Sequence, residues 1–188
     1  MRLFVGIALG NPVIEELSSL SARLRSTADG IRWSTPETWH ITLQFLGNIG
    51  PEQYNCIVAR LRELRSPPVP VELGEMGVFD KAGIVFASTK PTPELLSLQQ
   101  RVIASTRLCG FMPESRPYHP HIALGRSKGK AGAQLLRVLK DTIRLWTGSA
   151  RFVAEEFLLY ESLPTPTGSR YEIREHFPLM SFREPGLP

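Results

Sequence analysis

The stretch His40-Ile41-Thr42-Leu43-Gln44-Phe45-Leu46-Gly47 alternates polar and apolar residues with period two. That is the pattern of a half-buried strand. It turns His40, Thr42 and Gln44 to one face, and Ile41, Leu43 and Phe45 to another that packs into a core. Eighty-one residues later the chain reads His121-Ile122-Ala123-Leu124-Gly125-Arg126. The His-Ile-x-Leu frame returns on the same alternation. Two such strands predict two similar sheets, each carrying one imidazole on its open face.

The residues between these strands punctuate the chain into further elements. Residues 2–8 read as a strand. Asn11-Pro12 opens a helix over about 12–28, with Ile14, Leu17, Leu20 and Leu24 at helical spacing. Residues 31–33 form a short extended piece, and Pro51 starts a helix to about residue 65. Residues 69–79 and 84–88 read as strands joined by a turn at Asp80-Lys81-Ala82-Gly83. Pro93 starts a helix to about 108, and the second histidine strand spans 116–126. A polar loop at 127–132, a helix to about 145, and strands over 150–161 and 171–177 flanking a loop at 164–169 follow. Residues 184–188 read as a loose tail. The order predicts an α+β fold, with two pseudo-symmetric lobes of mainly antiparallel sheet around a central cleft, in a single domain over 1–188.

No window approaches the roughly 18 apolar residues that cross a bilayer, and residues 1–8 are too short for a signal peptide's apolar core. A cytoplasmic protein is expected. A net charge of +4 and a pI of about 9.3 favour an anionic partner. Cys56 and Cys109 sit in helix-like apolar patterns and are expected to be buried free thiols.

Two imidazoles on facing strands suit acid–base chemistry at neutral pH, one taking a proton while the other gives one. The Thr42 hydroxyl, two residues along the face from His40, can donate to a phosphate oxygen. His119 and His121 form a His-x-His pair of a spacing that can bind zinc. No Cys, Asp or Glu near it completes a ligand set, so no metal and no cofactor are expected. His119 is expected to support the site or contact phosphate, and His176 to be structural or exposed. No Gly-rich nucleotide loop or Ser- or Cys-based nucleophile motif stands out.

Three stretches carry a resemblance: Arg2-Leu3-Phe4-Val5; Arg32-Trp33 with Pro36-Glu37 before His40–Gly47; and Arg116-Pro117-Tyr118-His119-Pro120-His121-Ile122-Ala123-Leu124-Gly125-Arg126. The chain resembles the 2H phosphoesterase superfamily, and within it the RNA 2′,3′-cyclic phosphodiesterases long labelled 2′-5′ RNA ligases. The resemblance implies two lobes around a cleft and metal-independent hydrolysis of a 2′,3′-cyclic phosphate end to a 2′-phosphate. It implies His40 and His121 as the catalytic pair and Thr42 as a phosphate-binding hydroxyl. Ala123 stands where the family pattern has Thr or Ser, so one expected donor is missing. Arg126 matches a basic position of the group, although strict alternation would turn it away from His121. RNA ends or small cyclic nucleotides are the implied partners of a monomer with no obligatory protein partner and no membrane contact. Two other outcomes fit the same residues: 2′-5′ end joining, and an RNA- or nucleotide-binding protein whose catalysis is reduced by Ala123.

Overall fold

The computed structural model describes residues 1–25, 30–127, 143, 145–166 and 168–180. Among them are nine strands: β1 Arg2–Ala8, β2 Ile31–Trp33, β3 His40–Asn48, β4 Val69–Phe79, β5 Ile84–Thr89, β6 His121–Ser127, β7 Arg151–Ala154, β8 Glu156–Thr165 and β9 Gly168–Pro178. Three α-helices are described: α1 Asn11–Arg25, α2 Pro51–Glu63 and α3 Pro93–Arg107. The expected helix ending near 145 and the tail at 184–188 lie outside the described residues, apart from Ile143 and Leu145 in the former.

The strands form two antiparallel sheets, ordered β3-β1-β8-β9 and β2-β6-β5-β4-β7. In each sheet a histidine strand (β3 or β6) pairs with a central strand (β1 or β5), which pairs with the next (β8 or β4). The lobes are not consecutive halves of the chain. β2, from the first half, is hydrogen-bonded to β6, and the C-terminal hairpin β8–β9 completes the sheet begun by β1.

Period-two alternation sorts the faces. Leu3, Val5 and Ile7 of β1 are buried in one large core with Ile41, Leu43, Val85, Ala87, Ile122 and Leu124. Helix faces cover that core: Val13, Leu17, Leu20 and Leu24 from α1; Ile57, Val58 and Leu61 from α2; Leu95, Leu98 and Val102 from α3. The opposite face of the first sheet holds a small separate cluster of Phe4, Leu158 and Tyr160. The helix starts follow from local chemistry. The Thr92 hydroxyl accepts from Leu95 N at 3.3 Å ahead of Pro93, and Gln53 Oε1 accepts from Gly50 N at 3.2 Å ahead of Pro51.

Several expectations are corrected. The second histidine strand begins at His121 and not at 116. Pro117 and Pro120 have no N–H to give a ladder, and residues 111–120 form no regular element. The loop expected at 164–169 is a tight hairpin, because β8 runs to Thr165 and β9 resumes at Gly168. Cys56 and Cys109 are not free thiols. They form a disulfide with Cα atoms 5.8 Å apart, across 53 residues of sequence. α2 and α3 pack side by side, so a residue on α2 and one just past the end of α3 meet at one seam. Separate apolar patterns around each cysteine carry no sign of that meeting.

Closing a loop of this length stabilises the fold by roughly 4 kcal/mol in the chain-entropy account. Urea unfolding with and without dithiothreitol should differ by about this amount. A Cys56→Ser/Cys109→Ser variant should match the reduced wild type and be insensitive to the reductant. Equal stability in both conditions would show that the bridge contributes nothing.

Candidate active site

β3 does not keep the strict alternation read from its sequence. Against β1 its register slips twice, with Val5 opposite Gln44 but Gly6 opposite Thr42, and Phe4 opposite Phe45 but Leu3 opposite Gly47. Leu43 and Leu46 are therefore extra residues in bulges, and each bulge flips the faces that follow. Leu43 and Gln44 both point inward. Gln44 is buried and accepts the Thr106 hydroxyl at 2.7 Å, while Phe45 is 56% exposed. The sequence assignment of Gln44 to the open face and Phe45 to the core is thus reversed. His40 and Thr42, ahead of the first bulge, keep their expected face.

β6 carries a bulge at the matching place. Phe86 pairs with Ala123 but Val85 pairs with Gly125, leaving Leu124 as the extra residue. Leu124 and Gly125 are both buried, and Arg126 returns to the open face with Ala123 and His121. The expectation that alternation would turn Arg126 away is corrected by this single insertion.

The two imidazoles are held in the same way. His40 Nδ1 lies 2.8 Å from the Thr38 carbonyl, and His121 Nδ1 lies 2.7 Å from the His119 carbonyl. A carbonyl only accepts, so each Nδ1 carries the proton and each Nε2 is left to accept or donate. Aromatic rings wall both sites. His40 sits 4.6 Å from Phe4 and edge-on to Tyr171 at 5.0 Å. His121 sits edge-on to Phe79 at 4.9 Å and 5.5 Å from Phe86. Gly77 makes room on the second side, since a Cβ there would come within 2.4 Å of the Phe86 ring.

This apolar enclosure acts on the titration of both groups. Burial depresses His40 to about 4, against the raising effect of its bond to the Thr38 carbonyl, and the His121 charge depresses it a little further. Burial also lowers His121, again against its carbonyl bond, with His119 adding to the lowering. The influence of His121 on His40 places the two rings at one site. Both are therefore neutral at pH 7.

Three side chains tie the histidine strands together. Tyr118 Oη donates to the Thr42 carbonyl at 3.1 Å. Trp39 Nε1 donates to Ser34 Oγ at 3.0 Å, and Ser34 Oγ donates to the Ala123 carbonyl at 2.8 Å. Ser34 N also donates to the Leu124 carbonyl at 2.9 Å, so Ser34 grips β6 at its bulge. The sequence assigned no role to Ser34, Trp39 or Tyr171, while Phe4 and Tyr118 stood inside quoted motifs without one.

The remaining predicted residues fall as follows. Ala123 is exposed on the His121 face and offers no donor. His119 is exposed, lies edge-on to Phe79 and Phe86, and contributes its carbonyl to His121. Among the described residues no three His, Cys, Asp or Glu side chains come together to hold a metal ion. His176 is away from this site and pairs with Glu156 at 2.9 Å. An imidazole pair with free Nε2 atoms, beside a Thr hydroxyl, can take a proton from one oxygen and deliver one to another. No helix among the described residues is long and apolar enough to cross a membrane.

The depressed His40 makes stability depend on pH. Its folded value near 4 lies below the ordinary 6.5, so between these values the unfolded chain binds a proton that the folded chain lacks. Stability should rise with pH across that window, and be lost as pH falls through it. From pH 4.5 to 7 the gain from His40 alone is about 2 kcal/mol. Urea unfolding of wild type and His40→Gln at the two pH values should show the difference shrinking by about that much. An unchanged difference would mean that His40 is not held neutral.

A family model described as LigT-like phosphoesterase matches residues 7–86. An RNA 2′,3′-cyclic phosphodiesterase of Archaeoglobus fulgidus is 28% identical over 177 residues, covering 92% of this chain and 97% of that protein. One from Bacillus subtilis is 29% identical over 136 residues, covering 69% of this chain and 71% of that protein. Among solved structures, a Thermus thermophilus protein superposes with a TM-score of 0.81 at 25% identity, covering 97% of this chain and all of that one. Escherichia coli LigT in complex with 3′-AMP superposes with a TM-score of 0.80 at 22% identity, covering 96% and 98% of the two chains.

Proposed function

We propose that this chain, which shares sequence and fold with the LigT-like phosphoesterases, hydrolyses RNA 2′,3′-cyclic phosphate ends to 2′-phosphate ends by two-histidine acid–base catalysis. The observation that carries the reading is the matched pair of imidazoles, each with Nδ1 fixed on a carbonyl two residues upstream and Nε2 left free. The named relatives act on RNA cyclic phosphates, which is the chemistry such a pair serves.

In this reading water attacks phosphorus and the P–O3′ bond breaks. One imidazole takes the water proton and the other protonates the leaving O3′, so the pair exchanges roles over a cycle and no proton is lost. His40, the more strongly depressed, is the base. His121 becomes the acid once the phosphate's negative charge raises it. The Thr42 hydroxyl donates to a non-bridging oxygen. Ala123 leaves the matching position without a donor, and Arg126, brought to the same face by the bulge, supplies positive charge. The reaction needs no metal, and its setting is the cytoplasm.

Removing either base or acid should lower the rate by about 10²–10⁴-fold. His40→Ala and His121→Ala are to be assayed with EDTA on an oligonucleotide ending in a 2′,3′-cyclic phosphate. His119→Ala should lose much less, because the carbonyl that holds His121 remains. Near wild-type turnover by either of the first two variants would sink the mechanism.

Ala123 is also the one observation that favours the binding-only reading. Ala123→Thr would restore a charge-assisted hydrogen bond of roughly 1.5–3 kcal/mol and raise kcat/KM by about tenfold. Tighter binding with no gain in kcat would instead favour a nucleotide-binding protein with reduced catalysis.

A further inference from the structure

The open faces of the two sheets carry two arginines that the chemistry above does not use, Arg2 and Arg32, beside Arg126, which it does. Arg32 and Arg126 are direct partners across β2 and β6, so their side chains leave the same face side by side. Arg2 starts β1 and is paired with Asn48 at the far end of β3. All three are exposed. The guanidiniums of Arg2, Arg126 and Arg32 all act on the hydroxyl of Tyr171, whose ring rests edge-on against His40 at 5.0 Å. Tyr171 therefore touches the imidazole with its ring and lies in the field of arginines from both sheets.

Charge balance separates this cluster from the arginines of β9 and from Arg62. On β9, Arg170 is paired with Glu172, and Arg174 with Glu161 and Glu172. Arg62 is paired with Glu175. Among the described residues, none of Arg2, Arg32 and Arg126 forms an ion pair with a carboxylate. Three like charges gathered at one phenol repel one another until an anion joins them. Phe45 is more than half exposed, turned out by the β3 bulge and 6.0 Å from Phe4, whose ring also meets Tyr171 at 5.1 Å. Positive charge flanking exposed aromatic rings is how proteins follow a single strand, with phosphates on the cations and bases on the rings.

We propose that Arg2, Arg32 and Arg126 bind the phosphodiester on the 5′ side of the cyclic end, with Phe45 and Tyr171 as stacking surfaces for bases, so that the protein selects oligoribonucleotide ends over nucleoside 2′,3′-cyclic phosphates. The inference rests on the cyclic phosphodiesterase reading and adds a substrate length to it. Five residue steps along β6 lead from His121 to Arg126, roughly 15 Å of strand. That run gives the cluster a phosphate of its own, separate from the one at the imidazoles.

The test compares kcat/KM for adenosine 2′,3′-cyclic phosphate and for a tetraribonucleotide ending in the same group, in wild type, Arg32→Gln, Arg2→Gln and Arg32→Lys. Wild type should favour the tetranucleotide by about tenfold or more. Each Gln variant should cut that preference by about tenfold, and Arg32→Lys should keep part of it. Equal use of both substrates by wild type, or equal losses on both in the Gln variants, overturns the proposal. Fluorescence anisotropy with a tetraribonucleotide ending in a 2′-phosphate supplies the second readout. If wild type hydrolyses neither substrate but Arg32→Gln still weakens this binding about tenfold, the hydrolase reading fails and the RNA track stands. If binding is the same in wild type and both Gln variants, the track fails whatever the activity.

Discussion

A main-chain carbonyl two residues upstream holds each imidazole of the site: Thr38 for His40 and His119 for His121. Much of the arrangement depends on that contact. Because the carbonyl can only accept, it fixes which nitrogen bears the proton and which faces outward. The chain around each carbonyl is shaped for the task. Thr38 closes the 3₁₀ turn Pro36–Thr38, and His119 lies in the Pro117–Pro120 segment where no ladder can compete for its carbonyl. Aromatic walls then deprive the rings of water, which keeps them neutral in the free protein. A neutral pair is ready to accept protons, which is the state that the proposed reaction starts from.

The bulges are the second constraint. In both histidine strands the fourth residue of the frame, Leu43 or Leu124, is inserted against the neighbouring strand. The two apolar or buried residues that result anchor the strand, and the next side chain swings onto the site face. In one sheet that side chain is Phe45 and in the other Arg126. The internal repeat thus extends beyond the histidines to backbone geometry. It delivers an aromatic ring to one side of the site and a cation to the other. Ser34 exploits the second bulge by binding the Ala123 and Leu124 carbonyls, which joins the approach to β3 with β6.

Period-two alternation made both histidine strands legible, and the repeated His-Ile-x-Leu frame placed His40, Thr42, His121 and Ala123 on open faces correctly. It failed two residues later in each strand, at Gln44 and Gly125. A bulge is a register choice made between two strands, and neither strand's sequence states it. For the same reason Gln44 read as open and Arg126 as turned away. The disulfide escaped because it depends on α2 and α3 packing together, and the placement of β2 beside β6 escaped because it depends on topology. Pro117 and Pro120 were in plain view and should have delayed the start of β6.

The tautomers of His40 and His121 test the account most directly. Nitrogen-15 NMR of histidine-labelled protein at pH 7, with assignments from His40→Gln and His121→Gln, reports which ring nitrogen bears the proton. The account predicts neutral rings protonated on Nδ1 at both positions, and one ring becoming cationic when a nucleoside 2′-phosphate is added. An Nε2-protonated tautomer at either position, or two rings already cationic at pH 7 without ligand, would contradict it.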